Sequence, residues 1–275
     1  MKSRILCLSE SGKKNSLPLS FFHTDSTGRT CVNGLNKDIL LTPPGEDKGC
    51  VEGVFMVCLS AGLFPLPDHG FLLIHEDGAL LECNLDEEGK TLCEVIKPGF
   101  AVVSGTVEFW EPLKAGILTV SDKGSRKERD DTSGPALAEA LKNIGGIPVE
   151  RAIVPDDISD ISAVLNRWTI GETPLDLVLT TGGTGLSNRD VTPEAISGLP
   201  GKDVPGLSEY MRWKTSAFTL RSILSRSVAK LVGQTLIIAL PGSRKGALQC
   251  FESVAPVLRH AIETASGRGG ECGGH

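Results

Sequence analysis

The sequence has 8 cysteines, Cys7, Cys31, Cys50, Cys58, Cys83, Cys93, Cys250 and Cys272, yet no C-x-x-C pair. That absence excludes zinc-ribbon and thioredoxin-like chemistry, both of which need thiols at that spacing. No apolar run approaches bilayer length, and the short one after Met1-Lys2-Ser3-Arg4 falls short of a secretory signal. The expectation is a cytoplasmic protein with no membrane partner, whose reduced cysteines serve as small buried hydrophobes rather than as a disulfide framework. Basic excess is missing too. With 28 Lys and Arg against 34 Asp and Glu, the net charge is −6, and neither half has the cationic surface of a nucleic-acid binder.

The charge is unevenly placed. Residues 1–112 carry 9 Lys and Arg against 16 Asp and Glu, whereas residues 113–275 carry 19 against 18. A chain of 275 residues is comfortable as two domains, and this asymmetry argues for two units of different origin. In the first, short apolar runs (Ile5–Leu8, Val54–Leu59, Phe71–Ile74, Ala101–Val107) alternate with Gly, Pro and Asp clusters, a pattern that suggests a small β-rich domain joined to the rest around Glu108–Leu113. At the other end, Gly267–His275 is glycine-rich and reads as a disordered tail, whose Cys272 and His275 could catch a metal adventitiously.

From Ala115 the pattern becomes regular. Ala115–Val120, Val149–Val154, Leu175–Thr180 and Thr235–Leu240 are branched, apolar and strand-length. Between the first three lie two amphipathic stretches. Residues 136–144 align Leu137, Leu141 and Ile144, with Ser133 as the expected N-cap and Gly145 as the stop; residues 158–168 align Ile158, Ile161, Leu165 and Trp168. A helix is also expected after Ser243, kinked at Pro256. Strand–helix–strand at this spacing predicts an α/β domain over residues 113–266, with a mostly parallel sheet between two helix layers. Ligands of such sheets bind outside the carboxyl ends of the strands. Ser121, Asp122, Asp156, the glycine turn at 182–185 and Pro241-Gly242-Ser243 all fall there.

The stretch "TTGGTGLSNRDVTPEA", Thr180–Ala195, carries the strongest chemical signal. Gly182, Gly183 and Gly185 permit positive φ and close backbone approach, so amides around Thr184 can face a phosphate. The loop lacks the Gly-Lys-Ser/Thr of a P-loop NTPase and the G-x-G-x-x-G of a dinucleotide site. By itself it is compatible with a plain tight turn. Thr192-Pro193-Glu194 reads as a helix start, with Thr192 as N-cap, which leaves Asp190 ahead of the helix. In "VPDD", Asp157 is the natural cap, and Asp156 is left without a local role. Two carboxylates beside a phosphate nest would repel the ligand unless a divalent cation lies between them, and Mg²⁺ suits oxygen ligands and retained waters. After the last strand, Ser243 is an expected cap of a helix whose N-terminus attracts an anion, with Arg244 and Lys245 adding positive charge.

"LTVSD", "LTTGGTGLSNRDVTPEA" and "ILSRSVAKLVGQTLIIALPGSRKGALQCF" together resemble the molybdopterin adenylyltransferase family, the MogA/MoaB-like fold also carried by gephyrin, over about residues 115–262. The resemblance implies a three-layer α/β domain, commonly a homotrimer, that uses ATP and Mg²⁺ to adenylylate molybdopterin and releases pyrophosphate. It implies that Asp156 and Asp190 are catalytic and metal-holding and that Gly182-Gly183-Thr184-Gly185 contacts the nucleotide. Ser225 of "LSR" would lie at the pterin phosphate, joined by Pro241, Gly242, Ser243 and Lys245; Ser121 and Asp122 are further contacts. A molybdenum-insertion protein would be a partner. Two other readings stand beside the enzyme, a non-catalytic scaffold for molybdopterin or its cofactor and a molybdenum-insertion protein. Retention of both acids argues against the first and the "GGTG…RDVTPE" loop against the second. One departure from the family pattern, "SVAKLVG" in place of a glycine, is expected to alter a loop. Residues 1–112 lie outside the resemblance; their place and pattern suit the MOSC-like module to which some relatives are fused.

Overall fold

The computed structural model describes the backbone of nine strands within residues 4–110 and, in full, residues 111–268. The expected tail metal site, Cys272 with His275, and most of the glycine-rich tail lie outside the described residues, as do the side chains bearing on a MOSC-like reading. The chain divides into two compact units, Met1–Pro112 and Leu113–His275.

The first unit's strands are β1 (Arg4–Ser9), β2 (Leu17–Phe22), β3 (Arg29–Cys31), β4 (Ile39–Thr42), β5 (Phe55–Cys58), β6 (Phe71–His75), β7 (Gly78–Leu85), β8 (Thr91–Val95) and β9 (Val102–Trp110). They form one sheet in the order β3-β8-β7-β6-β1-β9-β2-β5-β4.

The second unit is built on strands β10 (Leu113–Val120), β11 (Gly146–Val154), β12 (Leu177–Thr181), β13 (Lys202–Asp203), β14 (Ala229–Val232) and β15 (Thr235–Leu240). Their order is β11-β10-β12-β15-β14-β13. The first four run parallel and the last two antiparallel. Helices α1 (Asp122–Ser125), α2 (Ser133–Ala140), α3 (Ile158–Ile170), α4 (Thr192–Ser197), α5 (Pro205–Thr215) and α6 (Arg244–Ala265) connect them.

The period of two along each central strand splits the core into two layers. Leu113, Ala115 and Ile117 of β10, Leu177 and Leu179 of β12, and Leu236, Ile238 and Leu240 of β15 face one cluster with α2, Met211 of α5 and α6. The alternate residues, Leu118, Val120, Val178, Ile237 and Ala239, face the other with α3 and α4. Sheets covered on both faces need apolar residues at every position, which is why these strands read as unbroken apolar runs. Gly116 is needed for the same packing: a Cβ there would sit 2.7 Å from both Leu175 and Trp168.

Several local expectations need correction. Ser133 is not the N-cap of α2; Thr132 holds that place, and the Asp131 carboxylate accepts from the Ser133 and Gly134 amides. Likewise Thr192 lies inside α4, whose N-cap is Val191, because its hydroxyl is used elsewhere. Ile158 is 47% exposed rather than part of the buried face of α3. Within "SVAKLVG" lies β14, which turns at Gly233 (φ 60°) into a two-residue hairpin with β15. Asp157 caps α3 and Ser243 caps α6 through their side chains, and Gly145 ends the 3₁₀ turn Leu141–Ile144 in the left-handed region. The α6 helix continues through Pro256 as one 22-residue element.

Candidate functional site

The site lies at the carboxyl ends of β10, β11, β12 and β15, where parallel strands deliver four loops to one edge. The loop after β12 has the most demanding backbone. Gly182 and Gly183 have φ of 109° and 61°. A Cβ on Gly182 would lie 2.2 Å from the Val120 carbonyl, and one on Gly183 would lie 2.4 Å from Thr192 Oγ1. Gly185 is required for space alone: its Cβ would meet Asp190 Oδ2 at 2.8 Å.

Hydrogen bonds fix this loop from behind. Thr192 donates its hydroxyl to the Gly182 carbonyl (2.9 Å) and its amide to the Gly183 carbonyl (3.1 Å). The Arg226 amide donates to the Thr184 carbonyl at 2.9 Å, and its Nε to the Gly185 carbonyl at 2.7 Å. Among the described residues, no acceptor meets the amides of Gly183, Thr184, Gly185 and Leu186. Unpaired donors clustered in one turn make an anion-binding concavity.

The Pro241–Ser243 loop packs directly against it. Thr181 Oγ1 donates to the Pro241 carbonyl at 2.8 Å, Ser133 Oγ to the Gly242 carbonyl at 3.0 Å, and a Cβ on Gly242 would lie 3.1 Å from Gly182 Cα. The N-terminus of α6 therefore opens beside the glycine loop, adding its own partial positive charge.

Asp156 is not spare. It and Asp122 exchange hydrogen bonds across neighbouring strand ends: the Asp122 amide donates to Asp156 Oδ2 (2.9 Å), and the Asp156 amide donates to Asp122 Oδ1 (3.1 Å). Arg189, from the glycine loop, forms an ion pair with Asp122. The other oxygen of Asp156 would stand 3.3 Å from a Cβ on Gly183. Asp190 accepts from the Ser187 amide (2.9 Å) and flanks Gly185. Burial raises the Asp156 carboxyl above its ordinary pKa, and the nearby charge of Asp190 raises it further. The two acids sense each other, as a pair sharing one site should. Among the described residues, no three or more His, Cys, Asp and Glu side chains gather as a metal site.

Two cavities meet here. The larger, ≈ 610 Å³, is bounded by Gly183–Leu186, Asp190, Arg212, Arg221, Ser225, Pro241–Ser243 and Cys250. Its size lies in the range of small-molecule sites. The smaller, ≈ 290 Å³, is polar and bounded by Ser121, Arg129–Ser133, Asp156, Gly182 and Gly183. Gly183, Gly242 and Ser243 border both. Ser225 shares a 2.8 Å hydroxyl contact with Ser227, and Arg212 holds the carbonyl of Ser227 at 3.0 Å.

Of the residues singled out by sequence, Asp156, Asp190, Gly182, Gly183, Thr184, Gly185, Ser121, Ser225, Pro241, Gly242 and Ser243 border these cavities. Asp122 acts behind Asp156. Lys245 is exposed and borders neither. Arg212, Arg221, Arg226 and Asp131 were not anticipated. Only Arg226 had a local signal, its position beside Ser225 in "LSR".

Residues 116–260 match the family model described as a probable molybdopterin binding domain. A molybdopterin adenylyltransferase of Helicobacter pylori is 36% identical over 159 residues, which cover 57% of this chain and 90% of that protein. The molybdenum cofactor synthesis protein cinnamon of Drosophila melanogaster is 39% identical over 153 residues and 55% of this chain. This chain spans 25% of the length of cinnamon and 22% of that of Dictyostelium discoideum gephyrin. The crystal structure of a molybdopterin biosynthesis enzyme, MoaB, from Thermus thermophilus superposes with a TM-score of 0.54 at 48% identity, covering 56% of this chain and 97% of that one.

Proposed function

Through residues 116–260 the chain belongs to the family described as a probable molybdopterin binding domain, and on that premise we propose that it acts in molybdenum cofactor biosynthesis as a molybdopterin adenylyltransferase. A terminal phosphate oxygen of molybdopterin attacks the α-phosphorus of ATP. The new P–O bond forms as the bond to the β-phosphate oxygen breaks, and pyrophosphate leaves with the electron pair. The observation that carries this reading is the meeting of two cavities at Gly183 and Gly242–Ser243, beside unpaired amides and the Asp156–Asp190 pair.

Such a transfer asks the protein for positioning and charge control rather than covalent chemistry. The Gly183–Leu186 amides receive phosphate oxygens. Ser225 and the Pro241–Ser243 loop, bordering the larger cavity, hold the pterin and its phosphate. Asp156 and Asp190 would hold Mg²⁺. The fit rests on the chemistry of the pair: burial, and after it the charge of Asp190, holds the Asp156 carboxyl above its ordinary pKa, and a cation between the two acids would relieve both. Two carboxylates plus phosphate oxygens are the usual donor set for this ion. When bound, it supplies neutralisation of the charge that develops on pyrophosphate. Asp122 and Arg189 keep Asp156 in register with the loop.

The test is direct. The protein is incubated with molybdopterin, ATP and Mg²⁺, and products are resolved by mass. Adenylylated pterin with stoichiometric pyrophosphate is expected. Pterin binding without either product would leave a scaffold and remove the enzyme reading.

A further inference from the structure

We propose that Arg226 is a positioning residue that holds the Gly183–Asp190 loop in its anion-presenting shape; this rests on the adenylyltransferase reading. In a trans peptide the carbonyl of one residue and the amide of the next point in opposite directions. Pinning a carbonyl therefore aims the following N–H the other way. The loop has four consecutive pinned carbonyls. Thr192 takes those of Gly182 and Gly183, the main-chain amide of Arg226 takes that of Thr184, and the Arg226 guanidinium takes that of Gly185, the one of the four that a substitution at 226 releases directly. The amides that follow these four carbonyls belong to Gly183, Thr184, Gly185 and Leu186, the same four that meet no acceptor among the described residues.

Arg226 does more than hold two carbonyls. Its guanidinium also donates to the Asp190 carbonyl and pairs with the Glu194 carboxylate. Hydrogen bonding from Arg226 lowers the Glu194 pKa, so this anchor stays charged through neutral pH. One planar group thus spans the start of the loop, its end and the first turn of α4. A guanidinium has five donors in a fixed fork, whereas a lysine ammonium is a single point charge that cannot reach three separated acceptors. The main chain that carries Asp190 is tied to the main chain that presents the amides, so phosphate donors and metal-holding acid keep one spacing.

The experiment compares wild type, Arg226→Lys and Glu194→Gln in the full chain. Two readouts are used: the affinity for pyrophosphate with Mg²⁺, by calorimetry, and the rate of tryptic cleavage after the exposed Arg189, by mass spectrometry. Arg226→Lys keeps the charge and should still weaken pyrophosphate binding by about tenfold to a hundredfold, the scale set by small misplacements of binding groups. Cleavage after Arg189 should accelerate as the loop opens locally. Glu194→Gln keeps an oxygen acceptor and should change both readouts less. Wild-type affinity and cleavage rate in Arg226→Lys would overturn the positioning role while leaving the adenylyltransferase reading intact. Tight wild-type binding of pyrophosphate without adenylylated product, together with the expected Arg226→Lys losses, would remove the reading and keep the role. Absence of pyrophosphate binding in wild type would remove both.

Discussion

Two glycines in the same loop should fail in opposite ways when replaced by alanine. At Gly183, φ is 61°, and the added Cβ would sit 2.4 Å from Thr192 Oγ1. The left-handed backbone costs an alanine about 1–2 kcal/mol. Displacing the Thr192 hydroxyl also breaks its 2.9 Å bond to the Gly182 carbonyl at a fully buried position, for about 1–3 kcal/mol more. The expected destabilisation is about 2–5 kcal/mol, a fall in Tm of about 5 °C or more for a unit of this size. At Gly185 no positive φ is involved. The new methyl meets only the far end of the Asp190 side chain, at 2.8 Å. That carboxylate can swing aside at the cost of its solvent-exposed bond from the Ser187 amide, a small loss of stability, but it then leaves the place assigned to it beside Asp156. Thermal unfolding by circular dichroism and turnover of molybdopterin, measured on both variants, separate the two effects. Gly183→Ala should lose stability and activity together; Gly185→Ala should keep its Tm and lose activity. Equal losses of Tm, or normal turnover in Gly185→Ala, would refute the division of labour between the two glycines.

The raised Asp156 carboxyl gives a pH prediction with a definite sign. The native state binds that proton more tightly than the unfolded chain does, so ionisation above the folded pKa disfavours the fold. Asp156→Asn, which still offers an oxygen to the Asp122 amide, should therefore be more stable than wild type at pH 7. The gain should shrink as pH falls through the folded pKa and vanish below the ordinary carboxylate pKa, as denaturation at several pH values would show, and turnover should be lost. Asp190→Asn should lower the Asp156 pKa in a carboxyl NMR titration; an unchanged value would mean that the two acids do not interact. ATP affinity should rise at least about tenfold on adding Mg²⁺ in place of chelator, since a like-charge contact at about 4 Å costs about 4 kcal/mol and about a third of that is a decade of affinity. Equal affinities at fixed ionic strength would show that the acids do not hold a metal–nucleotide complex. Residues 113–275 expressed alone should fold and turn over; an inactive fragment beside an active full chain would make residues 1–112 part of the working assembly.

The parallel core of the second unit was legible because strands covered on both faces leave uninterrupted apolar runs. What escaped has equally physical reasons. The buried face of α5 uses Ser208, Met211 and Thr215, so its helical periodicity is written partly in polar residues. The short strand β14 contains Lys230, buried to 7% exposure with its ammonium on the Ser197 carbonyl, and a lysine there masks the strand. Asp156 and Asp190 stood out as acids at strand ends, but the partner of Asp156 lies 34 residues back, and no local pattern announces it. The partners of Arg226 are 32 to 42 residues away, so the "LSR" segment marks its position but only the folded loop shows its role.

The exchange between Asp122 and Asp156 has a consequence for how this site can change over generations. Each side chain satisfies the other's main chain, so neither position drifts alone: replacing either by a residue without an oxygen acceptor strands the opposite amide. A descendant that abandoned the chemistry could discard the negative charge at position 156 but not the acceptor. Asparagine, rather than alanine, is the residue expected there in a lineage that kept the fold as a binder. A gene encoding asparagine at that position beside an intact Asp122 would bear the signature of an enzyme retired to carriage, readable from sequence alone.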